Sequence, residues 1–234
     1  MKTIGVLGGM SWESSLEWYR LANERVRDQL GGHHSARVLL DSLDFAEIEA
    51  LQAADDWPAA GALLAERAAR LESAGADLIV LCTNTMHLVA DRIEQAISIP
   101  FLHIADTTAD AVIGSGLRRV GLLGTAFTME RPFYRERLEA REISVLTPDA
   151  DDRADVHRVI YDELVHGVIR PESRELYRHV IERLVARGAE GIILGCTEIE
   201  LLVSSADAPV PVFPTTALHV DAALRAAGVG VPAA

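Results

Sequence analysis

The chain carries two cysteines in 234 residues, and both stand in the same kind of setting. One lies in LCTNTMH (residues 81–87), the other in LGCTEIE (residues 194–200); each follows an apolar run and opens a Cys-Thr dipeptide. A free thiol has a pKa of ~8.5 and is a weak base until ionised. Exposed N–H groups at a helix start favour the thiolate, and each Cys-Thr pair reads as a strand-to-helix turn. One thiolate and one thiol aimed at opposite faces of a carbon acid would remove a proton from one side and deliver one to the other. Stereochemical inversion needs such a pair. The neighbours suit that chemistry. Thr83, Asn84 and Thr85 after Cys82, and Thr197 and Glu198 after Cys196, offer hydroxyls, an amide and backbone donors able to hold a carboxylate.

Other chemistry finds little support. The opening GVLGGM allows close backbone approach but lacks a full G-x-G-x-x-G, and no P-loop, H-E-x-x-H or G-x-S-x-G occurs. Two distant cysteines are too few for a zinc site of cysteines alone and do not suggest a disulfide. His87, five residues past Cys82, reads as structural; His33, His34 and His103 share no ligand spacing and read as loop or surface residues. Asp55, Asp56, Asp149, Asp151 and Asp152 read as solvated loop acids. Trp12, Trp18 and Tyr19 read as core or interface residues.

The elements that must carry the cysteines follow from the apolar pattern. Short, nearly continuous runs recur at residues 3–9, 36–42, 76–82, 100–106, 118–124, 143–148, 190–196 and 210–216, as expected of strands covered on both faces. Helical stretches lie between them. Over residues 12–30, Trp12, Leu16, Tyr19, Val26 and Leu30 suggest an apolar stripe, with Ser11 as N-cap. Residues 59–74 are rich in helix formers and end at Gly75, a suitable C′ residue. Strands alternating with helices predict mostly parallel sheets, an α/β fold.

The chain also repeats itself. IGVLGG (4–9) matches VGLLGT (120–125), GADLIVLCTNT (75–85) matches GAEGIILGCTEI (188–199) with one extra residue before the second cysteine, and IPFLHIADTTADA (99–111) matches VPVFPTTALHVDA (210–222). The predicted architecture is two pseudo-symmetric lobes, each a mostly parallel sheet flanked by helices, with the active site in the cleft between them. Residues 1–115 form the lobe with Cys82, and residues 116–234 the lobe with Cys196, whose C-terminal segment can pack back on the first. Ligands of open α/β sheets bind beyond the carboxyl ends of strands, where both cysteines sit.

A net charge of −13 argues against nucleic-acid and anionic-membrane partners, and no apolar run nears the roughly 18–20 residues of a membrane span. The opening MKTIGVLGGM lacks a cleavage site and reads as a first strand rather than a signal peptide, so a cytoplasmic location is expected.

The chain resembles the aspartate/glutamate racemase family of cofactor-independent two-cysteine amino-acid racemases. The resemblance rests on GVLGGMSWES, LCTNTMH, IPFLHIAD, IYDELVHGVI (160–169) and GCTEIELL (195–202), and spans nearly the whole chain. It implies a homodimer acting on a small amino-acid substrate, without pyridoxal phosphate or metal. On that pattern Cys82 and Cys196 are the acid–base pair, and Thr83, Asn84, Thr85 and Thr197 hold the substrate α-carboxylate. Met10, Gln52, His166 and Glu198 complete the substrate site. Aspartate racemases of the family typically carry an arginine after the second strand, where this chain has Ala46 and Glu47. Relatives often have lysine where His166 stands, and glutamate racemases tend to have histidine where Glu198 stands. The sequence looks closest to the aspartate/glutamate or broad-specificity branch. Hydantoin racemases, and related two-cysteine isomerases and decarboxylases, share this logic; a non-catalytic amino-acid-binding module or a redox pair of cysteines are further readings.

Overall fold

A computed structural model of the protein describes residues 1–232. The first half runs β1 (Ile4–Gly8), α1 (Trp12–Leu30), β2 (Val38–Ser42), α2 (Phe45–Ala53), α3 (Trp57–Ser73), β3 (Leu78–Leu81), a 3₁₀ turn (Thr85–Val89), α4 (Ala90–Ala96), β4 (Phe101–Leu102) and α5 (Ile104–Gly114). The second runs β5 (Arg119–Gly124), α6 (Ala126–Glu130), α7 (Pro132–Glu139), β6 (Ser144–Leu146) and α8 (Ala150–Asp162). A 3₁₀ turn (Leu164–His166), α9 (Pro171–Ala186), β7 (Gly191–Gly195), α10 (Ile199–Leu202), β8 (Val212–Pro214) and α11 (Thr215–Ala226) complete it.

Every strand pairing is parallel, and the helices between strands supply the long crossover connections that parallel pairing needs. One sheet has the order β2-β1-β3-β4 and the other β6-β5-β7-β8, so the sequence repeat is a repeat of topology. The central strands are apolar and buried along their length, as sheets covered on both faces demand. The protein is an α/β protein with two four-stranded parallel sheets flanked by helices.

The chain groups into two compact units, Met1–Ile104 with residues from His219 onward, and Ala105–Leu218. The sequence repeat put the division near residue 115. The difference arises because each repeat gives most of its closing helix to the other unit. In the first unit, Val220, Ala223 and Leu224 of α11 share a core with Val6, Trp18, Val26 and Val80, and Arg25 bonds Asp221 at 3.0 Å. In the second, Asp106 of α5 takes both arms of the Arg137 guanidinium at 2.8 Å, and the Tyr134 hydroxyl donates to Thr108 Oγ1 at 3.3 Å.

Two of the apolar runs pass from strand into helix. The run at 100–106 stops being a strand at Leu102, and that at 210–216 stops at Pro214; their last residues are buried first turns of α5 and α11. An apolar run alone does not separate a buried strand from a buried helix start. α1 spans the expected residues with Ser11 as N-cap, its side chain accepting from Ser14 N–H at 3.3 Å. Its buried face, however, is Ser14, Ser15, Trp18, Ala22 and Val26. Trp12, Leu16, Tyr19 and Leu30 are exposed, so the stripe read from the sequence is largely the outer one. α3 ends as expected, with Gly75 at φ +96° just beyond its cap.

The turn after β1 depends on Gly9, which sits at φ +86° with a would-be Cβ 2.1 Å from the Leu43 carbonyl oxygen. Ser15 fastens this turn, accepting the Gly9 N–H at 2.8 Å and donating to the Ser11 carbonyl at 3.2 Å. Two acids read as solvated have structural duties: Asp56 caps α3, and Asp152 takes both arms of Arg183 at 2.7 Å.

Candidate active site

In the first unit, Cys82 directly follows β3, and its N–H still bonds the Leu7 carbonyl of β1 at 2.8 Å. Cys82, Thr83, Asn84 and Thr85 are all buried. The 3₁₀ turn then carries Met86 and His87 inward. Met10 lies in the apolar cluster with Leu7, Leu43 and Met86. Gln52 is buried on α2 and donates through Nε2 to Met86 Sδ at 3.0 Å. Glu47, on the same helix, is exposed.

In the second unit, Cys196 directly follows β7. Its Sγ donates to Glu198 Oε2 at 2.9 Å, and both residues are buried. Thr197 Oγ1 accepts from Thr216 Oγ1 at 3.1 Å, and Thr216 N–H donates to Glu200 Oε1 at 2.8 Å. His166 is exposed on its 3₁₀ turn, which lies against α10.

The extra residue before the second cysteine is Gly195. Leu7 pairs with Leu81 in the first sheet and Leu123 with Leu194 in the second, so the two strand pairs match residue for residue. β7 then continues to Gly195, opposite Gly124, whereas β3 stops at Leu81. Counted from the matched pairs, Cys196 therefore comes one residue later than Cys82, although each directly follows its own strand. A Cβ on Gly195 would lie 2.8 Å from the Leu123 carbonyl oxygen, so this extra step requires glycine.

The electrostatics correct the expectation of a thiolate at a helix start. Burial pushes the Cys82 thiol far above its ordinary range. Burial does the same at Cys196, and the charge of Glu198 and its hydrogen bond push further; backbone N–H groups of Glu198 and Ile199 pull the other way but lose. The turn amides act with the expected sign, yet each cysteine is followed by only a short 3₁₀ or helical turn, and desolvation outweighs them. The resting form of both residues is the thiol.

Sequence reasoning passed over Glu200 and Thr216, which lie in or beside the repeated motifs but bond only across the fold, and Gly195, visible only as an insertion. His103, read as a loop or surface residue, lies in the connection before α5 but is buried, its ring 4.4 Å from that of His87. Among the described residues no three His, Cys, Asp or Glu side chains stand together so as to hold a metal ion, and no helix is long and apolar enough to cross a membrane.

Comparison with known proteins decides the family. The sequence model of the Asp/Glu/hydantoin racemases matches residues 7–223, from the end of β1 into α11. The chain belongs to this racemase family. A Yersinia pestis structure described as that of a candidate Asp/Glu racemase is 55% identical, with a TM-score of 0.91 over 97% of this chain and 99% of that one. An aspartate racemase homologue from Pyrococcus horikoshii is 32% identical, with a TM-score of 0.86 over 97% and 100% of the two chains. The broad specificity amino-acid racemase RacX of Bacillus subtilis is 26% identical over 154 residues, 64% of either chain. The chain thus spans just under two thirds of that curated relative.

Proposed function

We propose that the protein is an amino-acid racemase that works without pyridoxal phosphate, with Cys82 and Cys196 as its two acid–base groups. The observation that carries the reading is the topological equivalence of the two cysteines. Each follows the strand that pairs with the first strand of its own sheet, in a chain of the racemase family.

In this mechanism one sulfur, as thiolate, takes the Cα proton of the amino acid, and the other, as thiol, gives a proton to the opposite face. Thiolate and thiol have then changed places, so the protein is ready for the reverse passage and no proton is gained or lost. Thr83, Asn84, Thr85 and Thr197 hold the α-carboxylate, which takes up charge as the Cα–H bond breaks. Burial makes each thiolate scarce but strongly basic, which suits a weakly acidic C–H. At Cys196 the Glu198 carboxylate is the natural acceptor of the thiol proton, since it already receives that S–H. Met10 and Gln52 line the substrate position, and His166 faces the distal group of an acidic substrate.

The substrate range proposed is aspartate and glutamate together with neutral amino acids, in keeping with the broad specificity of RacX and with Ala46 and Glu47 where strict aspartate enzymes carry a fixed cation. A homodimer is proposed too, supported by Trp12, Leu16 and Tyr19, which expose large apolar surface along one side of α1. A cytoplasmic location completes the reading. The family description also names hydantoins, which keeps a hydantoin racemase as the second reading.

The test is Cα–H exchange in D2O over the proteinogenic amino acids and 5-substituted hydantoins, with wild type and single Cys→Ser variants. The wild type should exchange and invert amino acids. Each variant should lose inversion by more than about 10²-fold, the least a general acid or base contributes, while retaining exchange of opposite enantiomers. Inversion at near wild-type rate by either variant overturns the two-base mechanism; turnover of hydantoins alone transfers the activity to the second reading.

A further inference from the structure

The geometry points to His87 as the positioning residue of the Cys82–Thr83 turn, a brace that fixes the cradle around the first catalytic sulfur. This assignment rests on the reading of Cys82 as an acid–base group. His87 is buried, and its two ring nitrogens engage two segments far apart in sequence. Nε2 accepts the Ile104 backbone N–H at 3.1 Å, and Nδ1 lies 2.7 Å from the Thr83 carbonyl oxygen. A backbone N–H can only donate, so Nε2 carries no proton, and the neutral ring bears its hydrogen on Nδ1. That hydrogen goes to Thr83. The tautomer is thus dictated from the far side of the ring.

Both partners matter. Ile104 is the first residue of α5, so its N–H lies beyond the reach of intrahelical bonding, and His87 satisfies it. The Thr83 carbonyl shares one planar trans peptide with the Asn84 N–H, and the two point in opposite directions. Holding the carbonyl at His87 therefore aims the Asn84 N–H away from it, among the donors proposed for the substrate carboxylate. The cysteine precedes this peptide by a single residue, so a rotated Thr83 peptide would move the sulfur as well.

The second unit also ties its Cys-Thr turn to the following helix, but through other atoms: the Thr197 carbonyl takes the Glu200 N–H at 3.1 Å, and the link to α11 runs through the Thr197 hydroxyl. There Glu200 accepts the Thr216 N–H at 2.8 Å, in the first turn of α11, and the Thr216 hydroxyl reaches Thr197 Oγ1 at 3.1 Å. In both halves the residue after the catalytic cysteine is tied to the start of the helix that follows the next strand. One tie uses an imidazole, the other a carboxylate and two hydroxyls. The two ties join the same pair of elements by different chemistry, although the repeat aligns Ile104 with Thr215, one residue before Thr216.

Two variants separate the halves of the brace. In His87→Asn the amide nitrogen falls near Nδ1 and can still donate to Thr83, but the Ile104 bond is lost. In His87→Gln the amide oxygen falls near Nε2 and can still accept from Ile104, but Thr83 is released. Each removes one bond, and His87→Asn leaves the larger void, so its melting temperature should fall at least as far as that of His87→Gln. Two readouts follow: racemisation, and the rate of iodoacetamide labelling of Cys82 in a Cys196→Ser background, where it is the sole thiol. His87→Gln should lower kcat by about 10²-fold, as expected for misplaced catalytic groups, with His87→Asn nearer to wild type. His87→Gln should also label Cys82 about tenfold faster than His87→Asn, roughly the equilibrium effect of one hydrogen bond. Equal behaviour of the two variants in labelling and turnover, whether through retained activity or shared unfolding, overturns the assignment and leaves His87 as packing. A wild type that racemises nothing defeats the racemase reading instead; the labelling contrast still decides whether the brace exists.

Discussion

Cys196 Sγ donates its hydrogen to Glu198 Oε2 at 2.9 Å, inside a buried turn only two residues long. No comparable acid stands two residues after Cys82, where Asn84 takes the place. The two thiols are therefore equivalent in topology and unequal in chemistry. One is kept protonated by burial alone, the other by burial and a neighbouring carboxylate.

That inequality gives Glu198→Gln two effects of opposite direction. Removing the carboxylate takes away both influences that add to burial in raising the Cys196 pKa, so the thiolate becomes more accessible at a given pH. In a Cys82→Ser background, iodoacetamide should then label Cys196 several-fold faster at pH 8, by about tenfold for each unit of pKa recovered. Racemisation in the otherwise wild-type chain should nonetheless fall by about 10²-fold or more, because the group that takes the thiol proton is gone. Faster labelling with undiminished turnover would remove Glu198 from the mechanism.

The sequence made the fold and the two cysteines legible for a physical reason. Strands buried on both faces write themselves as apolar runs, and a duplicated topology writes itself twice, so that LCT and GCT can be matched without knowledge of the fold. What it hid were relations that depend on side-chain direction. Trp12, Leu16 and Tyr19 follow a helical period as well as Trp18, Ala22 and Val26 do, and only packing against α11 shows which face is inner. His87 hid its duty because Ile104, seventeen residues away, tells nothing of its partner until the fold is known. The resting state of the thiols was misjudged because desolvation is a property of the surroundings, which the dipeptide Cys-Thr does not encode.

His219 should make the first unit sensitive to acid. It is wholly buried with Nε2 2.8 Å from the Leu102 carbonyl, and its Nδ1 has no partner. Burial lowers its pKa from 6.5 to about 4, against the smaller opposing effect of the Leu102 bond. Between these values the unfolded chain binds a proton that the folded chain refuses, so stability is full above the unfolded pKa and declines as pH falls towards the folded one. By pH 5 the loss should reach about 2 kcal/mol. All three tryptophans, Trp12, Trp18 and Trp57, lie in the first unit, so urea unfolding followed by their fluorescence reads the right part. His219→Gln keeps a donor for Leu102 and should flatten the decline between pH 7.5 and 5; an unchanged slope would assign the acid sensitivity to other groups.

His166 is exposed, so its replacement tests substrate contact with little structural cost. His166→Ala should alter stability by no more than about 0.5 kcal/mol, as for ordinary surface changes. If the imidazole meets the distal carboxylate, kcat/KM should drop for aspartate and glutamate and stay level for alanine. A uniform drop across all three, or none, would take His166 out of the substrate site.

Gly195 offers the sharpest link between register and catalysis. It is the residue that carries β7 one pair beyond the equivalent end of β3, so that Cys196 comes one residue later than Cys82 counted from the matched pairs. The glycine is required by contact rather than by conformation: a Cβ would sit 2.8 Å from the Leu123 carbonyl oxygen and 3.0 Å from Leu122 Cδ1, and the first of these is backbone in a central strand. That neighbour cannot swing aside as a flexible side chain could. Gly195→Ala should therefore destabilise the second unit by about 1–3 kcal/mol, the usual range for overpacking, and push β7 away from β5 at the point where Cys196 leaves the sheet. A displacement of even about 1 Å there would cost on the order of 10²-fold in turnover. The effect should be one-sided. Exchange initiated by Cys196 should fall in D2O, while exchange of the enantiomer served by Cys82 persists, since β3 and its turn belong to the other sheet. Equal loss of exchange for both enantiomers would mean that the substitution acts through general unfolding and that the extra step has no separate role.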